Sequence, residues 1–85
     1  MKNNKEYYKA VLKIEDIAHN IYRIYEANDY ELCKSMFEAM EISLKKNPRK
    51  EYWILTLEKH CSPLHVQVVK IRSSDARKNV DSPLF

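Results

Sequence analysis

An all-α domain is the fold class this sequence predicts. Three observations carry it: two long stretches whose apolar residues recur at steps of three and four, a short polar break between them, and the absence of glycine from all 85 residues. The expected architecture is an antiparallel helical hairpin, residues 4–27 and 29–46, covered by two shorter helices, residues 49–60 and 63–75. Residues 1–72 form the single small domain of this scheme, and residues 73–85 a frayed helix end with a flexible tail.

In the first segment Tyr7, Val11, Ile14, Ala18, Ile21 and Tyr25 fall in one helical seam, widened by Ala10, Ile17 and Ile24. Lys9, Lys13, Glu15, Asp16, Asn20, Arg23 and Glu26 take the remaining surface. The break at Ala27-Asn28-Asp29-Tyr30 supplies Asn28 as an N-cap, with Glu31 three residues on in a capping-box pattern. A turn this short makes the flanking helices antiparallel neighbours.

The second segment lines up Leu32, Cys33, Met36, Phe37, Met40 and Leu44. Lys45 and Lys46 complement the negative end of the helix dipole, and Pro48 sets a boundary near Asn47. Beyond it the pattern divides. Ser62-Pro63 reads as an N-cap followed by an N1 proline, with Leu64, Val68 and Ile71 on one helical face, which favours two more helices. Tyr52-Trp53-Ile54-Leu55 and the β-branched run before Ile71 support the alternative, an α+β fold with a C-terminal β-hairpin over residues 52–57 and 64–71. Without glycine, primed two-residue turns are disfavoured, and that tilts the balance to helix.

The totals also restrict chemistry. A chain of 85 residues makes one domain and has little depth for a cleft. The missing glycines exclude phosphate-cradling and dinucleotide-binding loops. Two cysteines form no disulfide framework, no apolar signal core follows Met1, and no apolar run approaches the roughly 20 residues that cross a bilayer. A cytoplasmic protein without membrane insertion is expected.

Each candidate chemistry has a simpler reading beside it. His60, Cys61, His65 and Cys33 are zinc-capable residues, but no paired knuckle spacing joins them, so no metal and no cofactor is expected. Cys33 lies in an apolar stripe, where burial raises a thiol pKa and makes it a poor nucleophile, and no base or oxyanion hole accompanies it. The chain is therefore read as non-enzymatic.

Two interaction readings remain. Six tyrosines are many for a small core, and Tyr8, Leu12 and Tyr22 fall away from the main seam of the first helix. Together with Tyr25 they are the expected contact residues of a protein–protein interaction module. Its role would be that of an accessory, regulator or inhibitor of bacterial or phage type, and a homodimer through the same face is one arrangement it allows. The alternative is an RNA- or single-strand-binding regulator, in which Lys45, Lys46, Arg49 and Lys50 meet phosphates and Tyr52 stacks on bases. A net charge of +3 is mild for that role. The final residues, Ser82-Pro83-Leu84-Phe85, resemble the short apolar-aromatic peptides that dock on sliding clamps, a likeness of four or five residues that implies an anchor for a partner's groove.

Overall fold

From Tyr8 to Ile14 every second residue is apolar, and the chain follows this period of two rather than the steps of three and four. The computed structural model describes residues 6–15, 20–62 and 65–81. Strands β1 (Tyr7–Glu15) and β2 (Asn20–Ala27) pair antiparallel, followed by helix α1 (Tyr30–Lys46) and strands β3 (Tyr52–Ser62) and β4 (His65–Ser73). A 3-10 turn, η1 (Ala76–Lys78), leads to the two-residue strand β5 (Val80–Asp81). The sheet order is β2-β1-β3-β4-β5, antiparallel throughout.

The all-α helical hairpin is thus overturned: residues 4–27 do not make a first helix, and β1 and β2 occupy that stretch. The physical reason lies in β1, a central strand with apolar side chains on both faces. Ala10, Leu12 and Ile14 are buried on one face, while Val11 lies on the other, so counting them together mimics a helical seam. The helices expected at residues 49–60 and 63–75 are likewise replaced by β3 and β4. A C-terminal hairpin, weighed as the alternative over 52–57 and 64–71, is present, with β3 running on to Ser62 and β4 to Ser73. The expectation drawn from the missing glycine fails at this hairpin, since Ser62 pairs with His65 and the two residues between them are not glycine, while Glu15 and Asn20 leave four residues between β1 and β2. Ala18, Pro63, Leu64 and the 82–85 tail, all used in the helical scheme, lie outside the described residues.

The second segment is helical. Asp29, rather than Asn28, is the N-cap of α1, its side chain accepting a hydrogen bond from the Glu31 amide at 3.1 Å. Lys45 and Lys46 stand in the last turn, and the Asn47 amide closes the helix on the Ser43 carbonyl before Pro48. Cys33, Phe37 and Leu44 form its buried stripe, with Met40 packed beside them.

That stripe lies across one face of the sheet. Phe37 and Cys33 meet Ala10, Leu12 and Ile14 of β1 and Trp53, Leu55 and Leu57 of β3 in one core, with Ile21, Tyr25 and Ala27 of β2 at its margin. β4 adds only Val69, the residue left over where the register slips between Leu57 and Glu58, which turns it into the core.

Phe37 is 1% exposed, whereas Leu32 on the same helix is 56% exposed. Phe37→Ala is therefore expected to lower the unfolding free energy by about 3–5 kcal/mol. Leu32→Ala is expected to change it by less than about 0.5 kcal/mol. Urea unfolding followed by far-UV circular dichroism separates the two.

Candidate interaction surface

The helix covers one face of the sheet, and no other described element lies over the second face. Cross-strand partners share a face, so the register sets out what the uncovered face carries. Ile24 pairs with Val11, Val11 with Thr56, Thr56 with Ile71, and Ile71 with Val80. These five residues form one row that crosses all five strands. Four are aliphatic and the fifth carries a methyl group, and Ile24 and Val80 are 60% and 52% exposed.

Polar and aromatic rows flank it. On one side stand Tyr22, Lys13 and Ile54, with the Lys13 ammonium 6.0 Å from the Tyr22 ring centroid. On the other are Glu26, Lys9, Glu58 and Val68. Beyond them Tyr7 stacks on His60 with centroids 4.7 Å apart, and His60 Nε2 lies 3.0 Å from Glu58 Oε1. The surface therefore has an apolar centre bordered by charges of both signs.

The four contact residues expected from the sequence divide between the two faces of the sheet, three to one. Leu12 is buried in the core, Tyr25 packs against it, and Tyr8 meets the Tyr30 ring edge-on at 5.3 Å, all on the helix-covered face. Tyr22 alone is on the open face, 56% exposed. The row of Val11, Ile24, Thr56, Ile71 and Val80 was not anticipated. Its signal was present in Val11 and Ile24, apolar residues at positions where a strand covered on one side carries polar ones.

The basic residues do gather, and with a further contribution. Lys45, Arg49 and Pro48 share a cleft with Trp53, Ala76 and Asn79, so the α1–β3 connection abuts η1. Lys78 then places its ammonium 5.2 Å from the Tyr52 ring centroid. Carboxylates offset part of this charge: Glu41 lies 3.3 Å from Lys45, Glu51 lies 3.2 Å from Arg49, and Asp75 accepts hydrogen bonds from Arg77, which hold its carboxyl below the usual range. Lys46 and Lys50 are exposed.

Arg72 ties this end together. Its guanidinium reaches Glu41 of α1 at 3.1 Å, Asp81 of β5 at 2.8 Å and the Val80 carbonyl at 3.3 Å. Ser73 supports it, donating from Oγ to the Asp75 carbonyl at 2.8 Å, while its amide donates to Asn79 Oδ1 at 2.9 Å. A separate groove of about 420 Å³ runs between α1 and β1–β2, lined by Leu12, Ile14, Met36 and Met40 with Arg23 and Arg49 at its rim.

Among the described residues no three His, Cys, Asp or Glu side chains converge as metal ligands, and no helix is long and apolar enough to cross a membrane. The chain matches no protein-family model, and no curated protein and no solved structure is significantly similar to it.

Cys33 is fully buried, its Sγ 3.8 Å from the Tyr25 carbonyl, and burial pushes its thiol from the ordinary 9.0 up to about 11. A folded pKa above the unfolded one means that its stabilising contribution is fully present below about pH 9 and is lost as pH rises through about 11. Stability measured by urea unfolding should fall over that window more steeply in the natural protein than in Cys33→Ala. At pH 8, half-buried Cys61 should react with iodoacetamide well before Cys33.

Proposed function

We infer that the chain is a small protein-binding module whose open sheet face docks a specific partner protein, as its accessory, regulator or inhibitor. The uninterrupted row Ile24-Val11-Thr56-Ile71-Val80 carries this reading. Five strands at about 4.8 Å spacing and six residues at about 3.4 Å rise make a face of about 500 Å². That area includes the flanking polar rows, and the apolar row is its middle third. The bordering Lys9, Lys13, Glu26 and Glu58 supply the polar rim that interfaces carry around a dry centre.

A second reading, binding of RNA or single-stranded DNA at the basic end, is favoured by one observation. Lys78, distant in sequence, adds a cation over Tyr52 beside Lys45, Lys46, Arg49 and Lys50. The open-face reading is preferred, because the basic end is partly neutralised by Glu41, Glu51 and Asp75.

The two separate experimentally. Under the first, a tagged copy retains a protein from extracts of its native cells through a high-salt wash. Val68→Lys combined with Val80→Lys then weakens that retention at least tenfold, while reversal of Lys45, Lys46, Arg49 and Lys50 to Glu leaves it intact. Retention that ignores the valine changes overturns the open-face reading. The second reading requires a labelled single-stranded oligonucleotide to bind at low salt, to release steeply as salt rises, and to be lost in the reversal variant.

A further inference from the structure

The two edges of the sheet are built differently. On the β4 side the ladder is interrupted by register shifts at Leu57/Glu58 and His60/Ser62, β5 covers Lys70 and Ile71, and Arg72 draws the Val80 carbonyl inward. Bulges and short covering strands of this kind blunt an edge against further pairing. Among the described residues β2, at the opposite edge, has none of them. Its eight residues pair with β1 from Asn20 to Ala27 without a register shift, and the strand contains no proline, glycine or lysine. Its outward backbone groups are a template for another strand.

We propose that β2 pairs antiparallel with β2 of a second copy of this chain, about a two-fold axis at Ile24, joining two five-stranded sheets into one of ten. The register follows from the side chains. Directly opposed residues of an antiparallel pair share a face, so the axis must pass through a residue position. Centred on Ile24, the open face sets Ile24 against Ile24 of the second copy and Tyr22 against Glu26, a phenol donor against a carboxylate acceptor, on each side of the axis. The covered face then sets Arg23 against Tyr25, a guanidinium against an aromatic ring, and Ile21 against Ala27. Moving the axis to Arg23 opposes two guanidinium groups, and moving it to Tyr25 opposes Ile24 to the Glu26 carboxylate. Both neighbouring registers are worse.

The same axis leaves the exposed row unbroken. Ile24 ends that row at the β2 edge, 60% exposed, and at the axis it meets its own copy, so the row continues through ten strands. This interface is distinct from the docking of a partner on the open face and does not depend on it.

At a two-fold axis a residue faces itself, and that gives the test. The 85-residue chain should sediment at twice its 10.2 kDa mass in the micromolar range. Ile24→Lys and Ile24→Glu should each self-associate at least tenfold more weakly, with unchanged far-UV circular dichroism, because the side chain is already in solvent. An equimolar mixture of the two should recover the dimer, and Val68→Lys should not disturb it. In the natural protein, the β2 amides that point away from β1 should gain hydrogen-exchange protection as concentration rises. A monomeric natural protein overturns the proposal, as does a dimer that survives both Ile24 changes or is lost with Val68→Lys. Failure of the mixed variants to associate overturns it equally, and so does β2 protection that is independent of concentration.

Discussion

Among the described residues a single α-helix, of 17 residues, has to cover a sheet with two faces. A helix is about 10 Å wide with its side chains, roughly two strand spacings, so the single stripe of Cys33, Phe37 and Leu44 can seal only the middle of one face. The core therefore forms where β1 and β3 lie side by side, with β2 at its margin and β4 contributing Val69 alone among the buried apolar residues. Everything not under α1 must be stabilised by polar ties or remain as surface. The Arg72 bridge to Glu41, Asp81 and the Val80 carbonyl is the tie on the β4 side. The open face is the surface.

This shortage of cover also explains which parts of the fold could be read from the sequence. The helix at Tyr30–Lys46 was legible because one face of it is apolar and the other polar, and because Asp29, Lys45, Lys46 and Pro48 mark its ends. β1 and β2 were not. A strand covered on one side alternates cleanly, but β1 carries Val11 and β2 carries Tyr22 and Ile24 on the uncovered face, and these extra apolar residues erase the period of two. What disguised the strands is the feature that makes their open face a candidate surface. The glycine count misled because a two-residue connection does form without it: Ser62 pairs with His65, so only two residues, neither of them glycine, join β3 to β4.

The site was legible only in pieces. The cluster at Lys45, Lys46, Arg49 and Lys50 is local in sequence and stays together, but Lys78 joins it only through the packing of η1 against the start of β3. Tyr8, Leu12, Tyr22 and Tyr25 were grouped by a helical wheel. On strands, the alternation of side chains sends Tyr8, Leu12 and Tyr25 to the covered face and Tyr22 to the other. The row from Ile24 to Val80 draws one residue from each of five strands, with the first and last 56 positions apart, and only the register reveals it.

The two uses proposed for the sheet, at its open face and at its β2 edge, are compatible. A two-fold axis perpendicular to the strands keeps both open faces on the same side, so pairing at β2 adds to the apolar row without covering it. η1 and β5 lie at the far edge of each copy, so the Lys78–Tyr52 contact stays outside the pairing. A partner that presents its own apolar patch twice then meets two faces held at a fixed distance, and the second contact forms at high effective concentration. A face of about 500 Å² is smaller than the roughly 800 Å² per partner of a typical stable interface, and joining two copies at the edge brings the combined surface past that mark. In the proposed dimer the incomplete cover that α1 gives the sheet would be offset by geometry rather than by a larger core.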